Sequence, residues 1–174
     1  ASASAIPVPE DDPFYAVPAN IASYADGAVI ASRKITAIAY HRVAGSPAVD
    51  LAPAGRLLNG GLLERVKRKL LGLSTTGPAY YVSDGSTASV DVGARAGTQA
   101  YSPVTGTVVA IAPYVLNGDA RSYGQIVTIQ PTADPGVVVV LSHIAVDGLQ
   151  VGDPVVATPR PTYLGRIVDL SRAL

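Results

Sequence analysis

The chain has 174 residues and no cysteine, which excludes disulfides, thiolate metal sites and cysteine nucleophiles. Thirteen basic and thirteen acidic side chains cancel, so no global field attracts nucleic acid or a membrane. No apolar run approaches the roughly 18–20 residues that a membrane-spanning helix needs. The opening sequence ASASAIPVPE is typical of an exported chain after signal-peptide cleavage, which predicts secretion or residence in the cell envelope. An ordinary disordered N-terminus is the alternative.

Residues 1–55 are predicted to form an extended arm and a linker. Residues 1–13 hold three prolines and three consecutive acids without periodicity, which indicates extended chain. Apolar runs at 28–32 and 35–40 then predict one or two strands. Two prolines and two glycines within residues 44–56 predict the linker that follows.

The arm resembles the N-terminus of the bacterial and fungal secretory lipases. In that family a DPFY-x-x-P entry precedes a G-x-(V/I)-(I/L)-x-S-R strand. The matching residues are Asp12, Pro13, Phe14, Tyr15 and Pro18, then Gly27, Val29, Ile30, Ser32 and Arg33. The sequence contains no G-x-S-x-G nucleophile elbow, so the resemblance implies a structural strap and no lipase active site.

Residues 56–73 contain the single predicted helix. Apolar side chains recur every four residues from Leu58 to Leu70, which predicts an amphipathic helix of about ten residues beginning near Gly61. A basic helix of this kind can contact an anionic membrane or an anionic wall polymer through residues 61–71. The alternative is a helix packed on its own domain with a solvated cationic face. The residues predicted to bind the surface are Arg65, Lys67, Arg68 and Lys69.

Residues 74–174 are predicted to form a mainly β domain. Short runs of β-branched and aromatic residues, separated by glycine, proline and aspartate turns, are typical of a compact barrel or sandwich. The wholly apolar run from Val137 to Leu141 predicts a strand covered on both faces. The predicted strands are residues 79–82, 88–92, 100–102, 107–111, 125–130, 137–141, a pair within 149–156, and 164–170.

Residues 84–168 resemble the lysostaphin-type zinc peptidoglycan endopeptidases. That family's pattern includes H-x-x-x-D, G-T-x-(V/A)-Y-(A/S)-P-x-x-G-T-V, Y-G-x-x-(V/I)-x-I, a strand ending in H-L, and V-G-x-x-V. The matching residues are Asp91, the run from Gly97 to Val108, Tyr123-Gly124, Ile129, His143-Ile144, residues 151–155 and Leu164-Gly165. The resemblance implies a barrel-sandwich hybrid, the core that biotinyl and lipoyl carrier domains also have. No lysine lies in this region, which excludes the carrier chemistry.

The resemblance also implies a zinc site, and this sequence lacks most of it. The family takes its ligands from the His and Asp of H-x-x-x-D and from one His of an H-x-H. Thr87 stands at the first position, no H-x-H is present, and Asp91 alone matches a ligand. His143 matches a family histidine that assists catalysis, and His41 lies in the arm. Catalytic zinc needs three protein ligands, so we predict no cofactor. A turn cap for Asp91 and a structural hydrogen bond for His143 are the alternatives.

Three functions are compatible with these patterns. The first is a non-catalytic lysostaphin-like domain of an exported bacterial protein, which binds peptidoglycan or another envelope protein or has a structural role. The second is a zinc-dependent peptidoglycan hydrolase with an atypical or partner-completed site, or a different enzyme that uses Asp91 and His143 as a pair. The third is an interaction subunit that docks through its arm by strand addition. The predicted binding groove is lined by Tyr80, Tyr81, Asp91, Tyr123 and His143.

Overall fold

The computed structural model describes residues 2–3, 35–43, 48–51, 56–58, 79–115 and 121–169. This part of the chain is mainly β and contains no helix, so no described helix could cross a membrane. The amphipathic helix and the lipase-like motifs predicted from the sequence lie outside the described residues. The predicted surface-binding residues Arg65, Lys67, Arg68 and Lys69 lie outside them as well.

Eleven strands are formed by the described residues, and most of them match a predicted strand. They are β1 (Ser2–Ala3), β2 (Ile35–His41), β3 (Arg56–Leu57), β4 (Ala79–Val82), β5 (Ser89–Ala94), β6 (Gln99–Tyr101), β7 (Gly106–Val115), β8 (Ser122–Pro131), β9 (Val138–Val146), β10 (Pro154–Val155) and β11 (Tyr163–Ile167).

A seven-stranded sheet curls into half of a barrel, which confirms the β-rich, partly barrel-like fold. Its order is β10-β7-β8-β9-β11-β6, and β1 pairs in parallel with β9. The long strands β7, β8 and β9 are antiparallel and bury one face, because apolar side chains alternate along them. Val108, Val127, Ile129 and Val139 are completely buried on that face.

A four-stranded sheet has the order β3-β4-β2-β5. Strand β2 is central, parallel to β4 and antiparallel to β5. The segment that the sequence assigned to an extended arm therefore supplies a central strand of this sheet. Tyr40 and Tyr80 bury their rings edge to face, with centroids 5.3 Å apart. Burial, and secondly the neighbouring Tyr80, raise the pKa of Tyr40, so both rings serve as core.

Both sheets contribute to one hydrophobic core. Buried residues of the smaller sheet, such as Ile38, belong to the same cluster as Ile129 and Leu164 of the larger sheet. Leu51, in the predicted linker, is also buried there. Its amide donates to the Thr87 carbonyl at 3.0 Å, and the Thr87 hydroxyl donates back to the Leu51 carbonyl at 2.6 Å.

The strand pair predicted within residues 149–156 is half wrong. Only β10 is a strand, whereas residues 150–153 form a turn in which the Gln150 amide donates to Asp153 Oδ2 at 2.8 Å. The turn is closed by a second bond, from the Asp153 amide to the Gln150 carbonyl at 3.2 Å. The Asp153 carboxylate therefore satisfies the Gln150 amide within the turn, and only the Gly152 amide and the Asp153 carbonyl bond the neighbouring strand, both at Val108 of β7.

The predicted strand–turn–strand in GTQAYSPVTGTV is confirmed as β6, a bend and β7. Inside the bend the buried Ser102 hydroxyl donates to the Val104 carbonyl at 2.6 Å. Gly106 then begins β7 directly against the backbone of Gln130 on β8, where a Cβ would collide with the Gln130 carbonyl. Glycine is therefore required for the two strands to approach at this point.

We expect Gly106→Ala to lower the free energy of unfolding by about 2 kcal/mol or more, because rigid backbone must move to admit the methyl group. Gly136→Ala is the matched control, since its Cβ would meet only the Asp134 carboxylate, at 3.2 Å. Urea unfolding followed by tyrosine fluorescence measures both changes. Equal unfolding midpoints for the two variants would contradict the close approach.

Candidate functional site

The five predicted groove residues fall on two sheets. Tyr80, Tyr81 and Asp91 lie on β4 and β5 of the smaller sheet, whereas Tyr123 and His143 lie on β8 and β9 of the larger one. Tyr80 is only 1% exposed and belongs to the core, so it does not line an open groove. The remaining four residues define two separate clusters.

The first cluster joins Asp91 to His41, a residue to which the sequence analysis gave no partner. His41 Nε2 lies 3.2 Å from Asp91 Oδ2, and His41 Nδ1 lies 2.7 Å from the Arg42 carbonyl oxygen. Both partners are acceptors, so only the doubly protonated imidazolium can donate to both. The Arg42 carbonyl, followed by Asp91 and Asp84, raises the pKa of His41, and burial opposes the rise.

A turn carboxylate supports this cluster from β4. Asp84 Oδ2 accepts the Arg42 amide at 2.9 Å, and Oδ1 accepts the Ser86 amide at 3.2 Å. The Arg42 amide is the largest cause that lowers the pKa of Asp84. Residues 41 and 42 are thus fastened to both neighbours of β2, because Asp91 lies on β5 and Asp84 follows β4.

The second cluster is built on a bulge at His143. Between Leu141 and Ile144 strand β9 advances three residues, while β8 advances two, from Gln125 to Val127. His143 has φ of 64°, and it is the one non-glycine residue with a left-handed φ in the described part of the chain. Bulges re-aim side chains, and such conformations persist only where the surrounding structure enforces them.

Gly124 on β8 permits a close approach to the backbone of this residue. Its φ is 82°, and an added Cβ would lie 3.0 Å from the His143 carbonyl carbon and 3.0 Å from the Ile144 nitrogen. The His143 carbonyl in turn accepts the Val168 amide at 3.0 Å. The backbone of His143 is therefore held from both neighbouring segments.

The side chain of His143 is half-buried and contacts the ring of Tyr114 and the backbone carbonyl of Tyr123. Its ring meets the Tyr114 ring edge to face, with centroids 4.2 Å apart. Its Nδ1 lies 3.4 Å from the Tyr123 carbonyl oxygen, which favours the tautomer protonated at Nδ1. In that tautomer Nε2 carries a lone pair and can accept a hydrogen bond from a ligand. Tyr114, near the end of β7, was missed by the sequence analysis.

The donor set does not fit a catalytic zinc ion. Among the described residues, no three histidine or acidic side chains form a group that could hold a metal. Thr87, at the position of the family's first ligand, uses its hydroxyl to bond the Leu51 carbonyl. Asp91 contacts the ring of His41, whose second nitrogen faces the Arg42 carbonyl. We therefore derive no step through zinc.

No protein-family model, curated protein or solved structure matches this chain.

The His41 cluster predicts a pH dependence of stability. A folded-state pKa above the ordinary value of 6.5 stabilises the fold below pH 6.5, and the contribution is lost as pH rises through the folded pKa. The gain is less than about 1 kcal/mol, because the pair is partly exposed and screened. NMR titration of the His41 ring should give a pKa above 6.5, and Asp91→Asn should lower it. A His41 pKa that does not change in Asp91→Asn would contradict the pairing.

The bulge predicts that residue 143 tolerates side chains according to their backbone preference. His143→Val should cost about 1–3 kcal/mol, because a β-branched residue resists the left-handed conformation. His143→Asn should cost less, since asparagine adopts that conformation readily. Ser142→Val on the exposed neighbouring position is the control, with an expected change within about 0.5 kcal/mol. The midpoints of urea unfolding measure these changes in stability. If His143→Val and His143→Asn lose equal stability, residue 143 is not strained in the left-handed conformation.

Proposed function

We propose that this chain is a non-catalytic, lysostaphin-like binding domain of an exported bacterial protein, and that it binds peptidoglycan in the cell envelope. The observation that carries the proposal is the His143 cluster: a histidine in a left-handed conformation, closely approached by Gly124, with its ring against the Tyr114 ring and near the Tyr123 carbonyl. Backbone strain of this kind concentrates at functional sites.

The chemistry of the His143 cluster suits a ligand that is both polar and apolar. The Tyr114 ring offers an apolar face together with a hydroxyl, and His143 Nε2 offers an acceptor. Stem peptides and glycan strands of peptidoglycan supply N–H and O–H donors beside apolar C–H surfaces. The curled sheet that carries the cluster supports the lysostaphin-like part of the proposal.

The hydrolase alternative has less support. It requires three ligands and an open position for water, and the described residues around Asp91 and His143 do not supply them. Docking through the arm also gains no support, because β1 and β2, its two described parts, pair within the chain itself. Removal of residues 1–40 would therefore delete a central strand as well as any docking segment.

The test is co-sedimentation of the full chain with purified insoluble peptidoglycan. We expect the wild type to bind, and His143→Asn, which keeps the backbone conformation, to bind about tenfold more weakly through loss of a well-formed polar contact. Ser142→Asn on the same strand is the matched control and should bind like the wild type. EDTA should change nothing.

Three results would contradict the proposal. If the chain does not co-sediment with peptidoglycan, the proposed binding function is wrong. If His143→Asn binds as tightly as the wild type, the His143 cluster is not the binding site. Release of soluble fragments from the peptidoglycan that stops on addition of EDTA identifies a zinc hydrolase instead.

A further inference from the structure

A shallow slot crosses the outer face of the smaller sheet, with β2 as its floor. Ala39 on β2 is in register with Tyr81 on β4 and with Asp91 on β5. Partners directly opposite each other project on the same face, so Tyr81 and Asp91 flank Ala39. Adjacent strands are about 4.8 Å apart, which sets the two walls roughly 10 Å from each other at the backbone. We call Tyr81, Ala39 and Asp91 the outer slot.

The outer slot is open to solvent. Tyr81 is 48% exposed and the Asp91 side chain is 75% exposed. The opposite face of the same strands is the core face, where Tyr40 and Tyr80 are 1% exposed. Alternation along β4 thus places one tyrosine of the Tyr80-Tyr81 pair in the core and presents the other at the surface.

The floor stays low over two successive rows. Ala37 on β2 is in register with Gly93 on β5, one row away from Ala39 and on the same face. The Thr36 hydroxyl borders the second row, because a Cβ on Gly93 would lie 3.0 Å from Thr36 Oγ1. At Ala39 the small floor leaves room beside the exposed Tyr81 and Asp91 side chains. The floor of the outer slot does not specify a ligand. The ligand class is inferred from the two side chains that flank the floor, Tyr81 and Asp91.

Asp91 is oriented by His41, which follows Ala39 by two residues on β2 and so projects on the same face, in the next row. His41 Nε2 contacts Asp91 Oδ2, and His41 is fixed through Nδ1 on the Arg42 carbonyl. This contact uses one carboxylate oxygen, and the other, Oδ1, can accept a hydrogen bond from a ligand. His41 is thus a positioning residue, and Asp91 is the group that touches the ligand.

We infer that the outer slot binds a neutral sugar ring of a glycan strand. An exposed aromatic face packs against the C–H face of a pyranose, and a charged acceptor strengthens hydrogen bonds from its hydroxyls. Asp91 is the charged group that lines the outer slot, so a ring without a negative charge meets no repulsion there. This inference rests on the proposed function, because it names the glycan as a bound part of peptidoglycan, but it uses residues on a different sheet from His143.

The probe is the soluble β-1,4-linked tetramer of N-acetylglucosamine, titrated into the full chain and followed by two-dimensional NMR. Amide shifts should concentrate around residues 39, 81 and 91. Tyr81→Ala should weaken binding about tenfold, whereas Tyr81→Phe should stay within about threefold, because the ring carries the contact. Asp91→Asn should weaken binding about fivefold or more. Asp147→Asn, on an exposed residue after β9, is the charge-matched control and should have no effect.

A pH profile separates positioning by His41 from a purely structural role. The charged groups around its ring are Asp91 on β5, Asp84 after β4, and Arg42 on its own segment. Wild-type affinity should fall as pH rises through the His41 titration, because the ring then loses its positive charge and one of the two N–H donors that hold it between Arg42 and Asp91. In His41→Gln the affinity should be lower and independent of pH over that range. A wild-type affinity that is flat across the His41 titration would overturn the positioning role.

The outcomes also separate this inference from the proposed function. The outer slot is not a sugar site if the tetramer fails to bind, or if it shifts the NMR signals of other residues instead. The same holds if Tyr81→Ala binds the tetramer with wild-type affinity. These conclusions do not depend on whether peptidoglycan co-sediments. Binding of a soluble stem peptide at residues 39, 81 and 91 in place of the tetramer overturns the sugar assignment. If the tetramer binds the slot while peptidoglycan does not co-sediment, the inference stands and the proposed function fails. All variants are at exposed or partly exposed positions, and their urea midpoints verify folding.

Discussion

The close approach of Gly124 to His143 is the constraint on which both the larger sheet and the candidate site depend. Glycine at 124 lets β8 contact the backbone of β9, and the extra residue on β9 is absorbed by the left-handed conformation of His143. A bulge increases the local twist, so the same feature that helps the sheet to curl also turns the imidazole towards Tyr114. Fold and site share one physical cause here.

The smaller sheet depends on a different interaction, the placement of His41 between two acceptors. Strand β2 is central, and its last residue is fastened to β5 through Asp91 while the next amide is fastened to Asp84 after β4. The aromatic pair of Tyr40 and Tyr80 holds the opposite face in the common core. One face therefore supplies stability by burial, which leaves the other face free to carry exposed polar and aromatic groups.

Local patterns predicted the strands well, and non-local pairing explains what they missed. Alternation and turn residues are short-range signals, so β4 was located residue for residue. Which tyrosine of Tyr80-Tyr81 faces the core depends on the partner sheet, and the sequence does not specify that partner. The His41–Asp91 contact joins β2 to β5 across fifty residues of sequence, and no sequence motif predicts it. Tyr114 was missed because it lies at one register shift, between β7 and β8, and His143 lies at another, between β8 and β9, and local patterns do not predict such shifts.

Asp91 illustrates how a motif match and a contact lead to different chemistry. The lysostaphin resemblance makes this residue a zinc ligand, and a zinc ligand needs partners that offer lone pairs. Its nearest imidazole is instead flanked by two acceptors, so that ring is favoured in the form with no lone pair at either nitrogen. A metal at Asp91 would have to displace this cation or deprotonate it, and deprotonation would break a hydrogen bond to Asp91 or to Arg42. An oriented carboxylate beside an exposed tyrosine is better suited to accept hydrogen bonds from hydroxyl groups than to bind a metal ion.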